Sequence, residues 1–345
     1  MIRVLVVEDS AVAREYLVYL LNEDPVLEVV GTARNGLEGV EQAERLKPNV
    51  ILMDVHMPRM NGFEATQEIM KRCPTPIVMV SASISKDEVT LSFEALKAGA
   101  LTLVDKPAGP DHPEHVETSR QLLEAVKLMA EVKVVQRWPR RERPVPPSPP
   151  PARLDRKIRL VAIGASTGGP QVLADLLGEL PANLAAPILI VQHIALGFTA
   201  GLAAWLDQGT PLAVKLAEPG EAVRPGTVYL ASDGAQMGIT KEGRIRLTKD
   251  VIEDGFCPSA SYLFQSVAEG YGRSAIGILL TGMGHDGAAG LKRLREAGGV
   301  TIAQNEETSV VFGMPAEAIR LAAADYVLSV EQILGAIRSL VGRGR

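Results

Sequence analysis

Short apolar runs alternate with helical patterns along the first third of the chain. The runs occupy residues 3–7, 27–32, 50–53, 77–80 and 101–104. Helical periodicity fills the intervals, as in residues 11–21 and 62–71. Continuous apolar strands that alternate with helices are typical of a parallel sheet covered on both faces. The pattern therefore predicts an α/β unit of five strands and five helices.

The same alternation returns in the second half of the chain. Strands are predicted at residues 158–163, 188–192, 275–280, 300–303 and 326–328. Residues 237–248 alternate around Lys241-Glu242-Gly243 and predict a β-hairpin. The 23 residues 184–206 carry no formal charge, but proline, glycine and polar residues interrupt them. They favour a strand, a loop and a helix over residues 198–206 rather than a membrane span. The second unit is thus predicted to be α/β, mostly parallel, with an antiparallel insertion.

A segment rich in proline and arginine separates the two units. Residues 136–157 contain seven prolines and seven basic residues and lack apolar periodicity, so they favour an extended linker. The predicted organisation is a first domain at 1–125, a helix end and linker at 126–157, and a second domain at 158–345.

Composition narrows the class of protein. The 345 residues carry a formal net charge of −5, which argues against a nucleic-acid binder. The two cysteines, Cys73 and Cys257, form no disulfide framework, and Cys257 is expected to be a partly buried small hydrophobe. The N-terminus does not have the pattern of a signal peptide. A cytoplasmic protein without membrane insertion is expected.

Polar residues end the predicted strands of the first unit. Glu8 and Asp9 follow the first strand, Asp54 the third, Ser81 the fourth and Lys106 the fifth. Because ligands bind at the carboxyl ends of parallel strands, these groups should share one rim. Clustered carboxylates suit Mg²⁺, the serine and lysine could hold phosphoryl oxygens, and Asp54 could form an aspartyl phosphate.

These residues make the first unit resemble a response-regulator receiver domain. The matching stretches are VLVVEDS, ILMDVHMPRMNG, PIVMVSAS and VDKP. The resemblance implies a phosphoacceptor at Asp54, phosphoryl contacts from Ser81 and Lys106, and a histidine kinase as phosphodonor. It also implies that Asp9, Asp54 and the backbone carbonyl of His56 are Mg²⁺ ligands and that Glu8 assists them. Receivers usually carry an aromatic residue where this chain has Leu103, which puts the route of signalling in question.

The second unit carries a serine in a glycine-rich turn directly after a strand. Gly164-Ala165-Ser166-Thr167-Gly168 fits the G-x-S-x-G pattern of a nucleophile elbow, although a bare match is weak. Neither a P-loop lysine nor the dinucleotide-binding spacing is present. A serine nucleophile needs a base and an acid that orients it.

Two histidines are available as the base, His193 and His285. His193 directly follows a strand, whereas His285 adjoins Asp286 in sequence, and such neighbours rarely face each other productively. We therefore expect Ser166, His193 and Asp286 to meet at one rim. The glycines around Met283 suggest backbone N–H groups close to a substrate, and residues 303–319 are expected to form a rim loop beside the site.

The second unit resembles the catalytic domain of chemotaxis protein-glutamate methylesterases. The matching stretches are IGASTGGP, QH followed by GFT, ILLTGMGHDGAAG and AQNEETSVVFGMPAEAI. The resemblance implies Ser166 as nucleophile, His193 as base, Asp286 as its partner, and help from Thr167 and Met283 at the oxyanion site, with no cofactor. It implies that methylated glutamates on chemoreceptor cytoplasmic helices are the substrates, that methanol is released, and that receptor glutamines are deamidated. Departures at residues 193–199 and 256–259 leave receptor choice open.

Two other hypotheses are compatible with the pattern. The second unit could be an inert esterase-like domain in a phosphorylation-regulated docking module, although all three triad residues are present. A nucleotide-binding regulator that uses the glycine-rich turn lacks the phosphate-binding lysine.

Overall fold

The structure is a computed structural model that describes residues 1–81, 94–96, 98–113, 115–132, 157–249 and 255–342. The chain divides into two compact units, Met1–Arg143 and Pro144–Arg345. Most of the predicted linker lies outside the described residues. Most of the interval between the fourth and fifth strands, which was expected to contain one of the five predicted helices, also lies outside the described residues.

The first unit is built on a five-stranded sheet in which every pairing is parallel. The strand order is β2-β1-β3-β4-β5. The strands are β1 (Ile2–Val7), β2 (Leu27–Ala33), β3 (Val50–Asp54), β4 (Ile77–Ser81) and β5 (Thr102–Asp105). Its helices include α1 (Ala11–Asn22), α2 (Gly36–Leu46), α3 (Gly62–Arg72) and α4 (His115–Glu131). Strands β3 and β4 are buried along their whole length, which explains their unbroken apolar sequence. The predicted parallel sheet is confirmed.

The second unit contains a seven-stranded sheet, again parallel throughout, and a separate hairpin. The strand order is β14-β13-β12-β6-β7-β9-β8. These strands are β6 (Leu160–Ala165), β7 (Ile188–Gln192), β8 (Ala213–Leu216), β9 (Thr227–Leu230), β12 (Ala275–Leu279), β13 (Val300–Gln304) and β14 (Tyr326–Leu328). The hairpin pairs β10 (Gln236–Ile239) with β11 (Ile245–Thr248), as predicted.

Six α-helices accompany these strands among the described residues. They are α5 (Gly169–Gly178), α6 (Thr199–Gly209), α7 (Ala260–Gly270), α8 (Ala288–Glu296), α9 (Met314–Arg320) and α10 (Val330–Val341). The described parts of the chain contain no helix that is long and apolar enough to cross a membrane.

Two strands of the second sheet were not predicted. β8 and β9 have four residues each, and the prolines and glycines around them interrupt the apolar pattern that would have indicated strands. They extend the sheet beyond β7. β6 also begins two residues later than predicted, at Leu160.

The strand order of the second sheet reverses between β6 and β12. From β6 the chain adds β7, β8 and β9 on one side of the sheet, and it later adds β12, β13 and β14 on the other. Helices that follow strands on the two sides of such a point diverge, which opens a crevice at the carboxyl ends of the strands. Ser166 follows β6, and Asp286 lies in the loop after β12.

Candidate active site

Ser166 lies on a tight turn between β6 and α5. Its N–H donates to the carbonyl of Thr281 at 3.0 Å, and its own carbonyl accepts from Gly169 N–H at 2.8 Å. Gly168 closes the turn with φ 77, in the left-handed region that favours glycine. The turn thus continues directly into the first residues of α5.

The loop after β12 passes close to this turn because Gly282 has no side chain. A Cβ at Gly282 would lie 2.7 Å from Ser166 Cβ and would also overlap Met314 Sδ. The hydroxyl of Thr281 reinforces the approach by donating to the carbonyl of Thr167 at 3.0 Å. The serine and the glycine-rich loop are therefore fixed next to each other.

His193 follows β7 directly, and hydrogen bonds to backbone groups hold it against the turn that carries Ser166. Its N–H donates to the carbonyl of Ala165 at 2.9 Å. The buried amide of Gln192 donates to the carbonyls of both Ser166, at 2.8 Å, and His193, at 2.7 Å. One side chain thus ties the backbone of the predicted nucleophile to the backbone of the predicted base.

Asp286 is almost fully buried and accepts four aligned hydrogen bonds. Its Oδ1 accepts from Ser259 Oγ at 2.8 Å, Ser261 N at 3.0 Å and Gly287 N at 2.7 Å, and its Oδ2 accepts from Ala260 N at 2.7 Å. Burial alone would raise the pKa of Asp286. The neighbouring His193, Ser259 and Ser261 N–H outweigh burial and hold the pKa well below its usual range. Asp286 is therefore an anion fixed at the N-terminus of α7.

The structure brings His193 to this anion. His193 Nε2 lies 3.0 Å from Asp286 Oδ2, and the imidazole is mostly buried. The ring N–H is not in line with an acceptor. Within the described residues no hydrogen bond reaches Ser166 Oγ, although catalytic hydrogen bonds are often poorly aligned in the absence of substrate. His285, the other candidate base, is exposed in the loop that contains Asp286.

Two backbone N–H groups beside Ser166 are available to a ligand. The N–H groups of Thr167 and Met283 donate to no group among the described residues. The stretch 303–319 borders this place: Phe312 forms a bridge with Gly282, and the side chain of Val310 adjoins Gly168. The predicted rim loop is thus beside the serine turn.

Three polar residues that support the site were not anticipated. Gln192, Ser259 and Thr281 are each buried and each bond to the predicted triad or its turns. Ser259 had a usable signal, because a serine that precedes a helical pattern indicates an N-cap, and it does cap α7. The expectation for Cys257 was wrong, because its side chain is exposed.

Three acidic residues of the first unit lie close together at the carboxyl ends of β1 and β3. Oxygen atoms of Glu8, Asp9 and Asp54 all lie within 4.8 Å of one another. Lys106 Nζ lies 2.8 Å from Glu8 Oε2 and 3.1 Å from Asp54 Oδ1. Glu8 and Asp54 are buried, whereas Asp9 is exposed. Three carboxylates and one ammonium therefore share this pocket.

The charges in this pocket shift the pKa values of its members. Burial and the neighbouring Glu8 carboxylate raise the pKa of Asp54 to about 6, although Lys106 acts in the opposite direction. Burial lowers the pKa of Lys106, but Glu8 and Asp54 outweigh it, so the pKa of Lys106 is raised. The pocket thus has an excess of negative charge that a cation would relieve.

The remaining predicted residues of the first unit lie around this pocket. Ser81 is buried at the end of β4, and its carbonyl accepts from Lys106 N–H at 2.9 Å. His56 is exposed in the loop two residues after Asp54. Leu103 is buried on β5 opposite Met79. An aliphatic side chain therefore fills the place where receivers usually have an aromatic ring.

Comparisons with known proteins cover both units. A family model described as CheB methylesterase matches residues 161–337, and one described as response regulator receiver domain matches residues 4–117. The protein-glutamate methylesterase/protein-glutamine glutaminase 1 of Syntrophus aciditrophicus is 49% identical over 347 residues, with 99% of both chains covered. The corresponding protein of Nitrosospira multiformis is 50% identical over 345 residues, with 99% of this chain and 97% of the relative covered.

A solved structure matches the second unit. The crystal structure of the Thermotoga maritima CheB methylesterase catalytic domain is 40% identical, with a TM-score of 0.52, and it covers 54% of this chain and 100% of its own. Sequence, family model and fold agree, and the chain belongs to the CheB methylesterase family, with a response regulator receiver domain in front of the esterase domain.

Proposed function

We propose that this chain is a phosphorylation-regulated serine hydrolase that demethylates glutamate methyl esters on the cytoplasmic helices of chemoreceptors. It releases methanol, deamidates receptor glutamines and acts in the cytoplasm during chemosensory adaptation. The observation that carries the proposal is the arrangement at the switch point of the second sheet. Ser166 and His193 follow adjacent strands, and His193 Nε2 lies 3.0 Å from the buried anion of Asp286.

The reaction follows from the roles of these three residues. Asp286 faces Nε2, so in the neutral imidazole the proton is on Nε2 and the basic lone pair is on Nδ1. Nδ1 accepts the Ser166 hydroxyl proton as Oγ attacks the ester carbonyl carbon. Collapse of the tetrahedral adduct expels methanol, which takes that proton, and leaves an acyl-enzyme. Water then attacks the acyl-enzyme with His193 again as base, which yields glutamate and restores Ser166.

The tetrahedral adduct carries a negative oxygen that needs hydrogen-bond donors. The N–H groups of Thr167 and Met283, which have no acceptor among the described residues, flank Ser166 on its turn and on the neighbouring loop. Donors fixed in the backbone need not reorganise during the reaction, and loss of one typically costs about 10²–10³-fold in rate. We assign the oxyanion site to these two groups.

The receiver pocket supports regulation by phosphorylation. Glu8, Asp9, Asp54 and the carbonyl of His56 would hold Mg²⁺, since clustered carboxylate oxygens and a deficit of positive charge suit this cation. Bound there, Mg²⁺ would neutralise the phosphoryl oxygens. Asp54 accepts the phosphoryl group from a histidine kinase, and Lys106 and Ser81 contact it. Phosphorylation of Asp54 should raise the rate of methanol release.

Mass spectrometry of co-expressed receptors tests the proposal. Receptors produced with the wild-type chain should lose glutamate methyl groups and convert glutamines to glutamates, and receptors produced with Ser166→Ala should retain both. Equal modification by the two chains would refute the serine mechanism. No methanol from the wild-type chain, even with a small phosphodonor and Mg²⁺, would favour an inert docking domain.

A further inference from the structure

An aromatic side chain covers one face of the proposed base. The ring of Phe256 stacks on the imidazole of His193, with ring centroids 4.9 Å apart and planes inclined by 3°. This spacing and the parallel planes are typical of offset stacking. The rings of His285 and Phe256 make a T-shaped contact, with centroids 6.3 Å apart and planes inclined by 77°. Phe256 therefore stands between the two histidines of the site.

The ring plane of His193 is not fixed by Asp286 alone. The Nε2–Oδ2 separation is 3.0 Å, but the N–H is not in line with the carboxylate. The same Oδ2 accepts a hydrogen bond from Ala260 N–H at 2.7 Å. A second contact is needed to hold the imidazole in one plane, and the flat stack on Phe256 supplies it.

Phe256 is itself held by the hairpin. The side-chain amide of Gln236, on β10, donates to the carbonyl of Phe256 at 2.6 Å and accepts from Ser259 N–H at 2.8 Å. Gln236 is fully buried, and β10 is paired along its length with β11. The same short segment thus presents Phe256 to His193 and Ser259 to Asp286, so one amide aligns both ends of the His–Asp pair.

We infer that Phe256 is a positioning residue for the general base. Its ring fixes the plane of the His193 imidazole, and its π face stabilises the imidazolium that forms when the Ser166 proton is taken. The inference rests on the proposed function, because it needs His193 to act as the base. It assigns a role in the chemistry to the β-hairpin insertion, which contributes none of the triad residues.

The test compares Phe256→Leu with Phe256→Tyr in the full-length chain, with a small phosphodonor and Mg²⁺ present throughout. Phe256→Leu should lower kcat about 3–30-fold, because the imidazolium loses its aromatic face. The acidic limb of its kcat/KM profile should move to lower pH. Among the residues that the structure describes, Asp286 and His285 are the titratable groups placed against this stack, and both are unchanged in the variant. Phe256→Tyr keeps the ring and should restore both quantities.

Tyr271→Leu is the matched control. This half-buried ring follows the C-terminus of α7, the end away from Asp286, and packs on the Arg159 guanidinium. Its loss should lower the melting temperature without moving the pH profile. Phe256→Met, which keeps apolar volume without a ring, gives the same comparison if Phe256→Leu loses its fold.

Two results would overturn the inference. One is a folded Phe256→Leu or Phe256→Met with wild-type kcat and an unmoved pH profile. The other is a change in KM alone, since that would make Phe256 a substrate contact. Methanol release by wild type but not by Ser166→Ala would leave the proposed function intact in either case, so the two failures are distinguishable.

Discussion

Replacement of Asp286 by asparagine should inactivate His193 as a base, because it changes the tautomer of the imidazole. Three donors point at Oδ1, from Ser259, Ser261 and Gly287, and these will hold the single acceptor oxygen of asparagine there. The new NH₂ group must then occupy the Oδ2 position, where it faces Ala260 N–H and His193 Nε2. It will donate to Nε2, which moves the imidazole proton to Nδ1 and leaves no lone pair there for the Ser166 proton.

Two magnitudes follow from this geometry. The wrong tautomer should lower kcat by about 10⁴-fold, the size of the same effect in a serine protease. The buried N–H of Ala260 loses its acceptor, which should cost about 1–3 kcal/mol of unfolding free energy. The variant should therefore be folded, measurably less stable and nearly inactive.

The pH dependence of stability has a defined sign. Because the pKa of Asp286 is held below its ordinary value, its ionisation stabilises the fold above the unfolded value of about 4, and this contribution is lost as the pH falls. Asparagine does not titrate. The stability difference between wild type and Asp286→Asn should accordingly shrink below about pH 4.

The assay is methanol release from methylated receptor at saturating substrate, together with urea unfolding at several pH values. Asp325→Asn is the control, because Asp325 also accepts from a backbone N–H, Thr301 N at 3.0 Å, and directly precedes the edge strand β14 rather than the central strands that carry the triad. It should lose stability and keep kcat. A folded Asp286→Asn within about 10-fold of wild-type kcat would refute the tautomer reasoning.

The remaining predictions concern the base, the phosphoacceptor and one glycine. His193→Ala should abolish methanol release and His285→Ala should retain it, and the opposite pattern would assign the base to His285. Asp54→Asn should not be labelled by a small phosphodonor with Mg²⁺, and surviving label would place the acceptor elsewhere. In Mg²⁺-free buffer Asp54→Asn should also be more stable than wild type above about pH 7, by up to about 3 kcal/mol, but not near pH 4. The reason is that a carboxyl group whose folded pKa is about 6 loses its stabilising contribution as the pH rises through that value. If urea unfolding showed that the advantage of the variant grows toward acidic pH, the raised pKa of Asp54 would be contradicted. Gly282→Ala should lower both kcat and the melting temperature, because its Cβ would lie 2.7 Å from Ser166 Cβ; wild-type values for both would show that the loop yields easily.

The strands that carry the site were predictable because they are long, buried and apolar. β3, β6 and β7 are covered on both faces, so their sequences are continuous apolar runs that end at a polar residue. Strand ends in a parallel sheet share one rim, and this rule was enough to select Asp54, Ser166 and His193. The pattern of apolar residues thus indicated where chemistry could occur.

The supporting contacts could not be predicted in the same way. Gln192 and Gln236 act through hydrogen bonds to backbone groups of other segments, and no periodicity records such a partner. The stack of Phe256 on His193 joins residues from segments far apart in sequence. These contacts depend on the assembled tertiary structure, whereas the strands depend on local pattern.

The strand order has a consequence for how activity is acquired during folding. The neighbours β6 and β12 are far apart in the chain, and the segment between them contains β7, β8, β9 and the hairpin. Pairing across so long a connection closes a large loop and is slow compared with helix formation. A chain that has folded only as far as β9 would possess Ser166 and His193 but no Asp286. Recovery of methanol release after dilution from denaturant should therefore lag behind recovery of helical ellipticity, and enzymatic activity would report the completion of the sheet rather than its beginning.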